Sequence, residues 1–164
     1  MKLKILQRTL GTASLGLALA FGLACECPGP APQPAANTKQ ATAPGDKMPD
    51  GTVYAGISPD TGKAMYAMPT DAPLPMKFNQ AKEYAAQLDA HGHKDWRVPT
   101  RKELDVLFNN RAAIGGFNVS GSNPAGWYWS TASNYQWSAW GQRFSGGFQD
   151  DIIMGNPSSV RLVR

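Results

Sequence analysis

The sequence predicts an α+β domain, and three observations carry that prediction. Residues 52–67 read as a strand, a turn and a returning strand. Residues 79–90 and 100–109 place apolar side chains at three- and four-residue spacing, and beyond Gly126 short strand-like pieces alternate with turns. Two helices followed by irregular strands are the pattern of an α+β domain.

The 164-residue chain opens with sequence that is not built to fold. Lys2, Lys4 and Arg8 precede sixteen uncharged, mostly apolar residues, 9–24, which end in the small Ala24. Residues 1–24 therefore read as an export signal. The apolar run falls short of the roughly eighteen residues a membrane span needs, and with no twin-arginine pair the general export route fits best.

Both cysteines, Cys25 and Cys27, stand directly behind that signal. A C-x-C pair rarely meets the geometry of an intrachain bridge, so the domain beyond is read as free of disulfides and thiols. Gly22-Leu23-Ala24-Cys25 resembles a bacterial lipoprotein cleavage site, with Gly22 where leucine is usual and Leu23 bulkier than usual. That resemblance makes Cys25 a candidate lipidation site; plain secretion with Cys25 or Cys27 free is the alternative.

Residues 25–49 read as a tether. Six of the thirteen prolines lie in 28–49 among Ala, Gln, Thr and Gly, too little apolar surface to offset ordering entropy. The folded part is then 50–164, one domain's length with no internal repeat. Residues 52–57 and 63–67 flank the turn chemistry of Ser58-Pro59-Asp60-Thr61-Gly62 and form an opening hairpin. Asn79 is placed to cap a helix running to about Ala90, with Ala81, Tyr84, Ala85 and Leu88 on one face and Gly92 beyond its end. Thr100-Arg101-Lys102-Glu103 fits a capping box ahead of a second helix, whose apolar face is Leu104, Leu107 and Phe108.

Charge excludes one class of partner. The formal net charge is +4, but three of the 16 basic residues and none of the 12 acidic ones lie in 1–24, which leaves 13 against 12, or +1. Lys94, Arg97, Arg101, Lys102 and Arg111 are interleaved with Asp95, Glu103 and Asp105. A nucleic-acid partner demands a concentrated basic face, and this distribution supplies none.

Asp95-Trp96-Arg97-Val98-Pro99-Thr100-Arg101-Lys102-Glu103-Leu104, then Tyr128-Trp129-Ser130-Thr131, Ala139-Trp140, Phe144 and the closing Val160-Arg161-Leu162-Val163-Arg164, occur in an order and spacing that resemble one bacterial family. It is named for the C-terminal domain of the Legionella collagen-like adhesin. The resemblance covers essentially the whole domain and implies a C-type-lectin-like fold, related to formylglycine-generating enzymes and to variable proteins of diversity-generating retroelements. It implies that the first and last strands pair, bringing 52–57 beside 160–164. Alternation in 159–164 sets Val160, Leu162 and Arg164 on one side, Arg161 and Val163 on the other.

The layout is nearest the variable proteins, whose diversified segment precedes a short final strand; the corresponding residues here are 134–156. On that resemblance Trp137, Ala139, Trp140, Gln142, Arg143 and Phe144 belong to the scaffold. Asn134, Tyr135, Gln136, Ser138, Gly146, Phe148, Asp150, Asp151, Ile152, Ile153 and Met154 face a ligand, with Tyr135 and Phe148 as aromatic anchors. Eight of the twenty-two residues 127–148 are aromatic, which suits a display surface. Trp127, Tyr128 and Trp129 cannot all face inward on one strand; Trp129 is assigned to the core, and Trp127 or Tyr128 to the rim.

Other constellations read as structural. Trp96 and Arg97, just ahead of a capped helix, are a packing ring and a structural arginine. His91-Gly92-His93 matches no zinc spacing and is placed at a helix C-terminus, where imidazole favours the dipole. Asp150, Asp151 and Asn156 lack the sugar-binding signatures and the oxygen count that calcium needs. No metal or cofactor is expected, and no catalysis: the formylglycine chemistry needs a cysteine the domain lacks, and Glu103 is already engaged in capping. Asn118-Val119-Ser120 fits a glycosylation acceptor that a bacterial setting leaves idle.

The expected function is extracytoplasmic ligand binding, as a receptor or adhesion module, on an envelope or outer-membrane lipoprotein or a secreted protein. Its partner is a protein or glycan outside the cytoplasm; the membrane enters only through a lipid anchor. One alternative is an adhesin for sulfated glycans, which requires basic residues such as Arg111, Arg143 and Arg161 to converge. Another is an envelope structural protein that buries Ile152-Ile153-Met154 against a neighbour.

Overall fold

The computed structural model describes residues 42–131, 133 and 135–164. Residues 1–24, read as an export signal, Cys25, Cys27 and most of 25–49, read as a tether, lie outside the described residues.

The opening hairpin forms where the turn chemistry of residues 58–62 placed it. β1 (Val53–Ile57) pairs antiparallel with β2 (Ala64–Ala67), and the turn closes through Ser58 N–H to the Lys63 carbonyl at 2.8 Å. The register slips between Tyr54 and Gly56, where φ is +121° and an added Cβ would stand 3.3 Å from Val106 Cγ1. Glycine permits that bulge at a point where a helix packs closely.

The final segment does not pair with β1. Tyr66 and Arg164 exchange backbone bonds at 3.1 and 2.9 Å, Met68 N–H reaches the Leu162 carbonyl, and Arg97 and Val163 exchange bonds at 2.9 Å each. Residues 160–164 thus lie between β2 and Arg97, and β2 separates them from β1. The reason is occupancy: the other edge of β1 is taken by the chain just before it, through Gly45 N–H to the Tyr54 carbonyl, Tyr54 N–H to the Asp46 carbonyl, and a Lys47–Val53 bridge. Part of the stretch read as tether is therefore hydrogen-bonded into the fold. Arg164 still meets the first residue of the domain as read from the sequence, its Nη2 lying 3.1 Å from Asp50 Oδ2.

Three helices follow among the described residues, against the two that the sequence predicts. α1 (Phe78–Gln87) begins before Asn79, with Lys77 N–H donating to Gln80 Oε1, because Phe78 is itself buried in line with Ala81 and Ala85. α2 (Arg101–Asn109) has the expected capping box: Glu103 N–H donates to Thr100 Oγ1 at 3.2 Å and Thr100 N–H to Glu103 Oε2 at 2.9 Å. A one-turn helix, α3 (Arg111–Ile114), was not anticipated; it buries Ile114 before Gly115 ends it at φ +75°.

β3 (Trp127–Trp129), β4 (Ser138–Arg143) and β5 (Gln149–Ile153) form an antiparallel sheet in that order. Two apolar clusters make the core. One gathers β1, β2, α2 and α3 around Tyr128, Phe144 and Val163; the other gathers α1, Trp96 and Val98 around Trp129, Ala139, Val160 and Leu162. β3 and residues 160–163 run between the clusters and send alternate side chains to each. Tyr128 and Trp129 are consequently both buried on opposite faces, leaving Trp127 as the rim residue.

Candidate functional site

The β3–β4–β5 sheet changes character along its length. Opposed residues of an antiparallel pair share a face, so Gln142, Tyr128 and Gln149 lie on one row, Trp140 and Asp151 on the next, and Ser138 and Ile153 on the last. Tyr128 and Gln142 are fully buried, Trp140 and Ser138 are half-buried, and Ile153 is 62% exposed. The face that starts as core ends as surface.

Local contacts fix the buried end. Gln142 Nε2 donates to Asp105 Oδ1 at 3.1 Å and to the Gly147 carbonyl at 3.2 Å, tying sheet to α2 and to the β4–β5 turn. Gly147 has φ +79°, and a Cβ there would stand 2.5 Å from Phe108 Cε1, so only glycine lets the turn lie on that ring. Tyr128 donates its hydroxyl to Asp71 Oδ2 at 2.5 Å and accepts Asn118 N–H at 2.6 Å. Burial first, then Asp71, pushes its phenol well above the usual range.

Arg161 is buried with that pair. Its Nε meets Asp71 Oδ1 at 2.7 Å, and its Nη atoms donate to the Met68, Gly115 and Gly116 carbonyls. It cannot join Arg111 and Arg143 in a surface cluster, as the sulfated-glycan alternative required. Arg111 donates to the Phe108 carbonyl and Arg143 to the Gly121 carbonyl.

A second buried pair stands behind α2. Glu103 has no exposure and accepts two bonds from Arg97, at 2.5 and 2.7 Å, and one from Ser58 at 2.6 Å. Burial pushes its carboxyl up, but the bonds from Arg97, Ser58 and Thr100 outweigh it and hold the group down to about 2. The two histidines do not serve a helix end, because α1 stops at Gln87. His91 Nδ1 contacts the Asp50 carbonyl at 2.8 Å and His93 Nε2 contacts Asp50 Oδ2 at 2.9 Å, clasping the start of the domain beside Arg164.

The residues expected to face a ligand separate into three groups. Tyr135, bridged to Ser138, stands at the far end of the sheet at 68% exposure, with exposed Gln136 and with Ile153 across β4. Phe148, at 61% exposure, meets Trp127 edge-on with centroids 6.2 Å apart, close to the exposed Gly146 of the β4–β5 turn. Residues 150–153 line an open recess of about 280 Å³ with Trp127, Asn123 and Asn156. Ile152 and Met154 also pack inward on the second core cluster. Asn134 lies outside the described residues.

Two scaffold assignments fall on the surface. Trp137 is 74% exposed, because it sits in the turn before β4, past the last core residue beneath the sheet; its carbonyl accepts Met154 N–H. Arg143 is exposed and braces the Gly121 loop. Sequence reasoning also gave Trp127 no part beyond the rim, since its place in the recess depends on Asn156, twenty-nine residues later.

Asp150 and Asp151 have no ion-pair partner among the described residues, whereas Asp50, Asp71 and Glu103 are paired. Asp150 Oδ1 accepts Asp151 N–H and Asn156 N–H reaches the Ile153 carbonyl, so the edge of β5 is partly closed by its own neighbours. On the face that Asp151 shares with Trp140 and Gln149, the Arg101 guanidinium lies 3.7 Å from the Trp140 ring while its Nε donates to Gln149 Oε1. No helix among the described residues is long and apolar enough to cross a membrane.

Residues 38–164 match the family described as the Lcl C-terminal domain. No curated protein matches the chain.

Proposed function

The chain belongs to the Lcl C-terminal domain family, and from that premise we propose an adhesin-like surface module of C-type-lectin-like fold that binds a partner outside the cytoplasm. The observation that carries this reading is the exposure gradient of the β3–β4–β5 sheet. Strands pinned in the core at Tyr128 and Gln142 run out to Tyr135, Trp137 and Ile153, each more than 60% exposed. A monomer seldom leaves that much aromatic and apolar surface uncovered without an interaction to serve.

The reading is adhesion rather than turnover. Of the strongly perturbed groups, Glu103 is buried in an ion pair, Asp50 is held by Thr52, His93 and Arg164, and the phenol of Tyr128 is sealed under Asn118 and Asp71. None of the three lines the recess. Export by the first 24 residues, with lipidation at Cys25 or simple secretion, places the domain outside the cytoplasm. Diversification of 134–156 by a retroelement fits the position of the exposed patch just before the final segment. The burial of Arg161 weighs against a sulfated-glycan site built on it.

The test is a panel of immobilised extracellular proteins and glycans probed with the full chain, followed by Tyr135→Ala/Phe148→Ala. The double variant is expected to lose about tenfold or more in affinity for the partner found, as hot-spot aromatics do. Unchanged affinity in a folded variant overturns the assignment.

A further inference from the structure

The geometry points to Arg101 as the positioning residue of the open end: its guanidinium braces β4 and β5 at the last row that α2 reaches, and so holds the exposed end ready for a partner. The inference deepens the binding reading above and rests on it for the effect on affinity. Arg101 is exposed and makes no ion pair among the described residues, yet it is fixed twice. Its Cζ lies 3.7 Å from the centroid of the Trp140 ring on β4, and its Nε donates to Gln149 Oε1 on β5 at 2.7 Å.

Matching repeats let one helix grip successive rows. Residues 101 and 105 stand one turn apart on α2, about 6 Å along its axis, and residues 140 and 142 stand about 6.7 Å apart on one face of β4. Each turn of α2 therefore meets one row of the sheet: Asp105 takes Gln142 in the buried row, and Arg101 takes Trp140 in the next. No turn of helix is left for the row of Ser138 and Ile153, because α2 starts at Arg101 and Arg97, just before it, pairs with Val163. The open end begins where the helix stops. A planar guanidinium can lie on the ring and donate from its edge, whereas an ammonium, a point charge on a flexible stem, cannot do both. Strands held in place before binding lose less freedom when a partner arrives.

The experiment is amide hydrogen exchange by NMR on the full chain without partner, followed by affinity for the partner found in the panel above. The register turns the amides of Asp150 and Ile152 toward β4. Arg101→Ala should speed their exchange about tenfold, while the amides of Tyr128 and Gln142 keep their rates. Arg101→Lys should not restore protection, Gln149→Glu should keep it through its acceptor oxygen, and salt at about 0.5 M should leave the parent unchanged, since no ion pair is involved. Partner affinity should fall about three- to tenfold in Arg101→Ala. Unchanged exchange at residues 150 and 152, or full protection in Arg101→Lys, overturns the brace. Faster exchange with partner affinity kept within about twofold overturns the positioning role. The binding reading falls separately, if Tyr135→Ala/Phe148→Ala leaves affinity intact; the exchange result needs no partner and decides the brace by itself.

Discussion

The two ends of the β3–β4–β5 sheet are built from the same strands and similar residues, yet one is locked and the other is open. At the locked end Tyr128, Gln142 and Arg161 have no exposure, and hydrogen bonds join them to Asp71, Asp105 and neighbouring carbonyls. At the open end Tyr135, Trp137 and Ile153 project into solvent, and Asp150 and Asp151 are unpaired among the described residues. The contrast teaches that residue type does not decide role here. What lies across from each side chain does: α2, the 115–118 loop and the final segment cover one end, and nothing described covers the other.

Breaking the locked end should have the largest effect. Arg161→Ala leaves the half-buried Asp71 and the Tyr128 hydroxyl without their cation, and since a fully buried pair broken on one side costs about 3–5 kcal/mol, the loss here should reach about 3 kcal/mol. Denaturant unfolding should show that loss, and a change below about 1 kcal/mol would mean the network does not hold the fold.

Next comes the Glu103–Arg97 pair, read by pH. The Glu103 carboxyl lies at about 2 in the fold against roughly 4.3 when unfolded. A depressed acid stabilises above its unfolded value, so the contribution is intact above about pH 5, shrinks as pH falls, and is gone below about 2. Its size is on the order of 3 kcal/mol. Unfolding followed from pH 6 to pH 2 should show that decline, and Glu103→Gln should flatten it.

Gly147→Ala joins the two ends, because the β4–β5 turn rests on Phe108. A methyl group at φ +79° with 2.5 Å clearance should destabilise by about 1–3 kcal/mol and loosen the Phe148 side of the recess. The smallest effect belongs to Trp137→Ala, exposed at 74%: within about 0.5 kcal/mol of the parent in unfolding.

Local chemistry was legible in the sequence and long-range coverage was not. The capping box at Thr100 and Glu103 and the hairpin through Ser58 are decided within a few residues, and both stand as read. The alternation of Val160, Leu162 and Val163 was also visible, but not that both faces of that segment would be buried. Its pairing with β2 depended on residues 45–47 filling the edge of β1. Trp137 reads as scaffold on the family resemblance alone, which does not say whether core lies beneath it, and it is 74% exposed. His91 and His93 were assigned to a helix end, while their partner, Asp50, lies some forty residues away. The recess needed β5, Trp127 and Asn156 in one place, which no single segment announces.

The most direct measurement is a saturation substitution scan of residues 127–164, read once for protease resistance and once for partner binding. Substitutions at Tyr135, Gln136, Trp137, Phe148, Asp150 and Ile153 should leave resistance intact and deplete binding, while those at Tyr128, Gln142 and Arg161 should abolish both. If the exposed positions prove as intolerant for folding as Arg161, or if binding ignores them, the open end is not a display surface.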